Sequence, residues 1–396
     1  MEGQRANYYA THFPAPLVRR MLTLNGASLD RREFALDGTR GGPNGERFFA
    51  RHLSASTDAS LQSLTSVRGV DIKALHIGAI CDKPPSRDKD ERAEWVEMRI
   101  DLDITDNDRL GVRKDDLQAC DAVWPVALMA VRLITQQIYD EFGYREMAVF
   151  YSGRRGAHIW VLDRRVVDQQ DPFMHAEVRE AVAKHLEYKA FKHGRIDDNI
   201  LRIVKTSNMT TTVMDYFRDH ACLLFLDTPE DIREFMRRLG LRRLESLEAQ
   251  MIQLQEPRAA YRLLESEVDR AVDSQPTLAW WGDRLLGTVL SYVYPRIDVA
   301  VSSHINHLVK SPFSAHASTG RVCVFVAGFL DGELRECPDF DPTSVPTVAQ
   351  LHLPEQQEQL RENAASLGRY LDLIESQRAE TAPEPVTTAS RHFRFQ

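Results

Sequence analysis

Three short clusters, far apart in the chain, constrain any fold this sequence can adopt. They are Asp101-Leu102-Asp103, then Ser152-Gly153-Arg154-Arg155-Gly156-Ala157-His158, then the run from Arg296 through Asp298 to Lys310 and His316. Together they offer three carboxylates for metal ions, a basic hydroxyl-bearing loop for a triphosphate, and a second basic segment. A fold that gathers them at one place can carry nucleotidyl transfer.

Local pattern places each cluster on an element. From Met98 to Ile104, Ile100, Leu102 and Ile104 alternate with Arg99, Asp101 and Asp103, the signature of a strand with one apolar face and one polar face. Both carboxylates leave the same face with Cα atoms roughly 7 Å apart, a spacing at which hard oxygen ligands can share one or two Mg²⁺ or Mn²⁺ ions. Taken alone, the pair reads more readily as the solvated face of an edge strand.

Ala148-Val149-Phe150-Tyr151, the SGRRG loop and Ala157 to Leu162 read as strand, glycine turn, strand. Gly153 and Gly156 permit close backbone approaches, Arg154 and Arg155 are planar cations suited to phosphate oxygens, and Ser152 and His158 can donate hydrogen bonds. A basic surface hairpin with His158 in the core is the competing reading. Tyr294 to Val299 alternates again, carrying Asp298 with Arg296 on the same side, and Lys310 follows in Asn306 to Phe313. Singly, Lys310 and His316 read as surface residues; the nucleotide site is the reading that accounts for all three clusters at once.

Around these clusters, a helix is expected over Tyr8 to Leu24, interrupted at Phe13-Pro14-Ala15-Pro16. Strands are expected at Arg32 to Leu36, Arg47 to His52 and Ala74 to Ile80, and a helix from Trp124 to Phe142 ending at Gly143. Strand character returns at Arg296 to Ser302 and Val322 to Val326, before a last helix over Val348 to Gln377. The expected fold is α+β. Residues 1–171 and 291–378 form a discontinuous catalytic core, 172–290 a mostly helical subdomain inserted into it, and 379–396 a disordered tail.

Composition narrows the class. At 396 residues, 43% hydrophobic and 27% charged, the chain reads as soluble and globular. Met1 to Arg5 leads to no apolar signal region, and the run Ala221 to Leu226 is too short to span a bilayer, so an intracellular, non-membrane protein is expected. A net charge of -8 argues against coating nucleic acid by bulk positive charge, yet leaves room for local phosphate-binding patches. Cys81, Cys120, Cys222, Cys323 and Cys337 form no CxxC pair, which suggests free thiols and no four-cysteine zinc site.

At the quoted motifs the chain resembles the catalytic small subunit of archaeo-eukaryotic DNA primase, most of all the eukaryotic branch. Asp101-Leu102-Asp103, Tyr151 through Val161, Pro295-Arg296-Ile297-Asp298 and Asn306 through His316, continuing to Thr319-Gly320-Arg321-Val322, carry the resemblance. Weaker echoes lie at Tyr8-Tyr9, Arg32-Glu33-Phe34 and Ile77-Gly78-Ala79.

The resemblance implies a mixed α/β core with an RRM-like sheet, and synthesis of short RNA primers on single-stranded DNA from ribonucleoside triphosphates. It implies that Asp101, Asp103 and Asp298 bind two Mg²⁺ or Mn²⁺ ions. Ser152, Arg154, Arg155, His158 and Lys310, with Arg296 and Arg51, would form the nucleotide site, and His316 would lie near the ribose. It further implies a primase large subunit as partner, the DNA polymerase α complex in a eukaryote, and the nucleus as location.

Two departures stand out. Relatives often carry a zinc-binding knuckle after the DxD strand, but Arg113 to Trp124 retains only Cys120, so no zinc is expected there, in a segment expected to lie away from the metal-ion chemistry. His76 stands where close relatives can have an acidic residue near the ribose. Two other functions compete: a repair or mobile-element primase-polymerase preferring deoxynucleotides, and a catalytically inactive interaction subunit. His316 and the wording of the two long motifs weigh against the first, and retention of all three carboxylates against the second.

Overall fold

The computed structural model describes residues 2–41, 45–86, 88–163, 176–188, 198–207, 209–241, 244–337 and 340–381. Proline writes the first break: α1 (Glu2–Thr11) ends before Phe13-Pro14, and α2 (Ala15–Thr23) starts with Pro16 in its first turn. β1 (Arg32–Arg40), β2 (Glu46–Leu53), α3 (Asp58–Leu64), β3 (Val70–Cys81), β4 (Ala93–Trp95) and β5 (Arg99–Asp103) follow. Next come α4 (Leu117–Ala122), α5 (Trp124–Phe142), β6 (Glu146–Tyr151) and β7 (Gly156–Val161). Gly143 ends α5 in a left-handed conformation, φ 75°, which glycine adopts without penalty.

A helical stretch then contains α6 (Ala176–Leu186), α7 (Asp198–Thr206), α8 (Thr210–Tyr216), α9 (Cys222–Phe225), α10 (Pro229–Leu239), α11 (Glu245–Leu254), α12 (Pro257–Ser274) and α13 (Trp280–Val293). The chain returns through α14 (Val299–Ser303), β8 (Val309–Lys310), β9 (Phe325–Leu330) and β10 (Glu333–Glu336) to the long α15 (Pro354–Thr381).

The strands form two antiparallel sheets. One has the order β2-β1-β3-β4, with β8 also on β3; the other runs β10-β9-β6-β7-β5. One hydrophobic core joins both sheets to α1, α2, α15 and part of α5. A second core gathers α7 to α13 around Met129 and Leu133 of α5. Among the described residues, the next helix after β7 is α6, which sends Val182, Ala183 and Leu186 into the sheet core. The architecture is thus α+β, as the sequence pattern predicts.

Three expectations shift. The alternation at 296–302 does not make a strand. Ile297 forms a single bridge to Leu102, and then Asp298 caps α14 by accepting the Ala300 N–H at 2.9 Å, turning the chain into a helix. The strand expected from Val322 starts at Phe325 instead, because Val322 spends its pairing on an isolated bridge to Ala315. The final helix extends to Thr381, and the tail beyond it lies outside the described residues.

Buried guanidinium groups join the layers. Arg99 of β5 is 1% exposed, donates to Ile77 O of β3 and to His307 O just ahead of β8, both at 2.9 Å, and lies over the Trp160 ring. Arg32 of β1 makes a two-pronged pair with Glu97 at 2.7 and 2.8 Å and a third bond to Gly78 O. Arg99→Met keeps the aliphatic volume but leaves both carbonyls without these charged donors. It should cost about 3 kcal/mol of unfolding free energy, on the scale of two hydrogen bonds to a charged group, read from urea denaturation.

Candidate active site

Strand register assembles the site. In the β5–β7 pairing Asp101 stands opposite His158 and Asp103 opposite Gly156, with His158 Nε2 3.6 Å from Asp101 Oδ1. Gly156 is needed there, because a Cβ at this position would lie 1.7 Å from Leu102 O. In the β3–β8 pairing Lys310 stands opposite His76, and its ammonium reaches back to Ser152 O at 2.7 Å. A cleft of about 140 Å³ is lined by Asp101, Leu102, Asp103, Ser152, Arg154, Arg155, Gly156, His158, Lys310 and His316.

The SGRRG turn is held from within and from outside. Ser152 N donates to Gly156 O at 2.8 Å, and Ser152 Oγ accepts from Gly156 N at 3.2 Å. Thr319 Oγ1 donates to Gly153 O at 2.7 Å, tying the turn to the loop that carries His316. Gly153 has φ 89°, and a Cβ on it would stand 2.8 Å from the Cβ of His316. The Nδ1 of His316 receives the backbone N–H groups of Ser318 at 3.2 Å and Thr319 at 3.4 Å. In the neutral ring Nε2 is then the remaining N–H donor.

Burial governs the charges. It lowers His158 to about 3 and His316 to about 2, with Lys310 adding repulsion, so both rings are neutral at physiological pH. It lowers Lys310 to about 8. It raises Asp101 to about 7, helped by Asp103 and, less, by Asp298.

Not every expected residue faces the cleft. Asp298 stands beside it: its N–H points to Asp101 O at 3.4 Å while its carboxylate caps α14. Asp103 is turned to Arg155 Nη2 at 2.7 Å and to Thr105. Among the described residues, no three acidic, His or Cys side chains already stand together as a closed metal-ligand set. The donor set nonetheless suits a hard divalent cation: carboxylate oxygens from β5 and from the segment bridged to it, with negative charge in excess around Asp101.

Arg296 does not project toward the cleft. It donates to Tyr294 O, Ser291 O and Asp108 and lies 3.6 Å over the Tyr188 ring, because the expected strand is absent. Arg51 lines a separate groove of about 460 Å³, where it forms a two-pronged pair with Glu33 and donates to Asn306 O.

Arg113 to Trp124, expected away from the metal-ion chemistry, touches the flank that carries the arginine turn: Arg154 Nη2 donates to Lys114 O, and Asp121 of α4 pairs with Arg321 at 2.8 Å. Asp116 caps α4, and Cys120 is buried under it. Sequence reasoning missed Arg99, Thr319 and Asp121. Arg99 could have been found, since it shares the polar face with both aspartates; Asp121 carries no local signal.

The cleft thus sets carboxylates beside a cradle of cations, a hydroxyl and neutral imidazoles. The family model described as DNA primase small subunit matches residues 100–327, more than half of the chain. The chain is 28% identical over 365 residues to the DNA primase small subunit of Caenorhabditis elegans, covering 84% of each. It is 26% identical over 269 residues to that of Schizosaccharomyces pombe, covering 64% of this chain and 56% of the yeast protein. It is 23% identical over 221 residues to the DNA primase small subunit PriS of Archaeoglobus fulgidus, covering 48% of this chain and 64% of that one. This chain belongs to the DNA primase small subunit family, a family of enzymes, and within it to the eukaryotic type.

The turn geometry gives a direct check. Gly153→Ala places a side chain in the left-handed region and against His316, so it should destabilise the protein by about 1–2 kcal/mol, measured by chemical denaturation.

Proposed function

We propose that this chain is the catalytic subunit of a primase and builds short RNA primers on single-stranded DNA from nucleoside triphosphates. The observation that carries the reading is the single cleft in which Asp101 and Asp103 meet Ser152, Arg154, Arg155, His158, Lys310 and His316. Residues from three distant parts of the chain share it, as the resemblance requires.

Asp101, Asp103 and Asp298 would hold two divalent cations, Mg²⁺ or Mn²⁺, which lower the pKa of an attacking hydroxyl and stabilise a pyrophosphate leaving group. Arg154, Arg155 and Lys310 supply positive charge for the triphosphate oxygens, and Ser152 adds a hydroxyl. Arg155 rests on Asp103 at 2.7 Å, at the edge of the same cleft, where its guanidinium would meet phosphate oxygens. His158 and His316, kept neutral by burial, act as N–H donors and not as charges. The bonds at Nδ1 leave the Nε2 proton of His316 to donate, and a ribose hydroxyl meeting it would favour ribonucleotides. The relatives' printed name, small subunit, supports a larger companion subunit, and a DNA template and a nuclear setting belong to the same reading.

The test is primer synthesis on single-stranded homopolymer DNA, by the chain alone and with a large subunit, comparing ribonucleotides with deoxynucleotides. RNA oligomers are expected, falling by roughly 10³ or more in Asp101→Ala/Asp103→Ala. Preference for deoxynucleotides would favour a repair-type primase-polymerase instead, and product unchanged in the double variant would remove the assigned metal site.

A further inference from the structure

The cleft's two cation-bearing flanks converge on a residue that does not line it. The Arg321 guanidinium, about nine-tenths buried, donates to both oxygens of Asp121 at 2.8 Å and to the Tyr151 hydroxyl at 3.0 Å. The Tyr151 hydroxyl in turn donates to the backbone carbonyl of Arg154 at 3.2 Å. Through its own backbone, Arg321 accepts the His316 N–H at 2.8 Å and donates to Thr319 Oγ1 at 3.2 Å, while that hydroxyl holds Gly153 O. One arginine therefore reaches the SGRRG turn by its side chain and the His316 loop by its main chain.

Asp121 balances this arginine. It is nearly buried, it stands 200 residues away in sequence on α4, and α4 also sits beside Lys114, whose carbonyl receives Arg154 Nη2. A carboxylate that meets the planar fork of a guanidinium with both oxygens fixes its orientation. Without the carboxylate, Arg321 would turn toward solvent and release Tyr151, and the Arg154 carbonyl would lose its donor.

We propose that Asp121 is a positioning residue for triphosphate binding: acting through Arg321 and Tyr151, it sets the register of the SGRRG turn against His316. The segment in which only Cys120 remains of a zinc-knuckle pattern then acts through an ion pair. The proposal rests on the primase reading only for the identity of the ligand as a nucleoside triphosphate.

The experiment measures three quantities on the full chain: equilibrium binding of GTP with Mg²⁺ by calorimetry, KM and kcat for primer extension with a large subunit present, and thermal unfolding. Asp121→Asn keeps one acceptor and removes the charge. Tyr151→Phe removes only the hydroxyl and keeps the ring packed on Trp124, so it remains informative should the first variant fold poorly.

Each variant should weaken GTP binding and raise the nucleotide KM by roughly ten- to a hundredfold, with a smaller change in kcat and none in the KM for template. The double variant should be little worse than the worse single one, because both cut the same chain of contacts. Lower unfolding temperatures with unchanged GTP affinity would overturn the proposal, as would strictly additive losses. Because binding is read directly, a wild-type chain that holds GTP and makes no primer would count against the primase reading, while the same titrations decide the role of Asp121.

Discussion

The buried guanidinium of Arg99 is the interaction on which the rest of the site depends. It leaves β5 two residues before Asp101 and ends on carbonyls of β3 and of the approach to β8. A neutral side chain could fill the same volume, but it could not bind two backbone acceptors from another sheet at once. Burial lowers its pKa to about 10, which still leaves it charged at neutral pH. Since Asp101 lies on one side of this junction and Lys310 on the other, the spacing between carboxylate and ammonium follows from it.

The cleft holds both signs of charge under tension. Desolvation pushes Lys310 down and Asp101 up, so each ionised form is costlier than it would be in water. Beside them, Arg155 and Asp103 pair at 2.7 Å. A ligand that is itself divided into anionic oxygens and divalent cations would ease both strains together. A simple anion would satisfy the arginines and lysine while adding to the repulsion at Asp101. Both shifts arise from burial as much as from residue type.

Much of the scaffold was legible because its signals are local. The prolines at 14 and 16 break the first helix, Gly143 ends α5, and the alternation at 98–104 marks β5. The same local logic failed at 296–302, where an alternating pattern around an aspartate is also how a helix cap reads; the Ala300 N–H decided it. It placed Asp101 and Asp103 on a polar face but could not tell that the second sheet covers that face and buries Arg99. Motif membership suggested Arg51 and Arg296 as nucleotide ligands, yet Glu33 and Asp108 engage them instead. The pairing of Asp121 with Arg321 spans 200 residues, and no periodicity or spacing could announce it.

The first helix has a consequence for the order in which the protein matures. Tyr8 donates to Phe313 O at 2.5 Å, and the Tyr9 hydroxyl meets Ser314 and receives the Ala315 N–H. Phe313 itself holds φ 58°, a conformation a bulky residue keeps only when its neighbours impose it. The loop leading to His316 is thus braced by residues translated some three hundred positions earlier. The α1 segment would be made well before the segment it braces. The loop before His316 could then take its final shape only once both segments had been made, a long-range closure that comes late in folding.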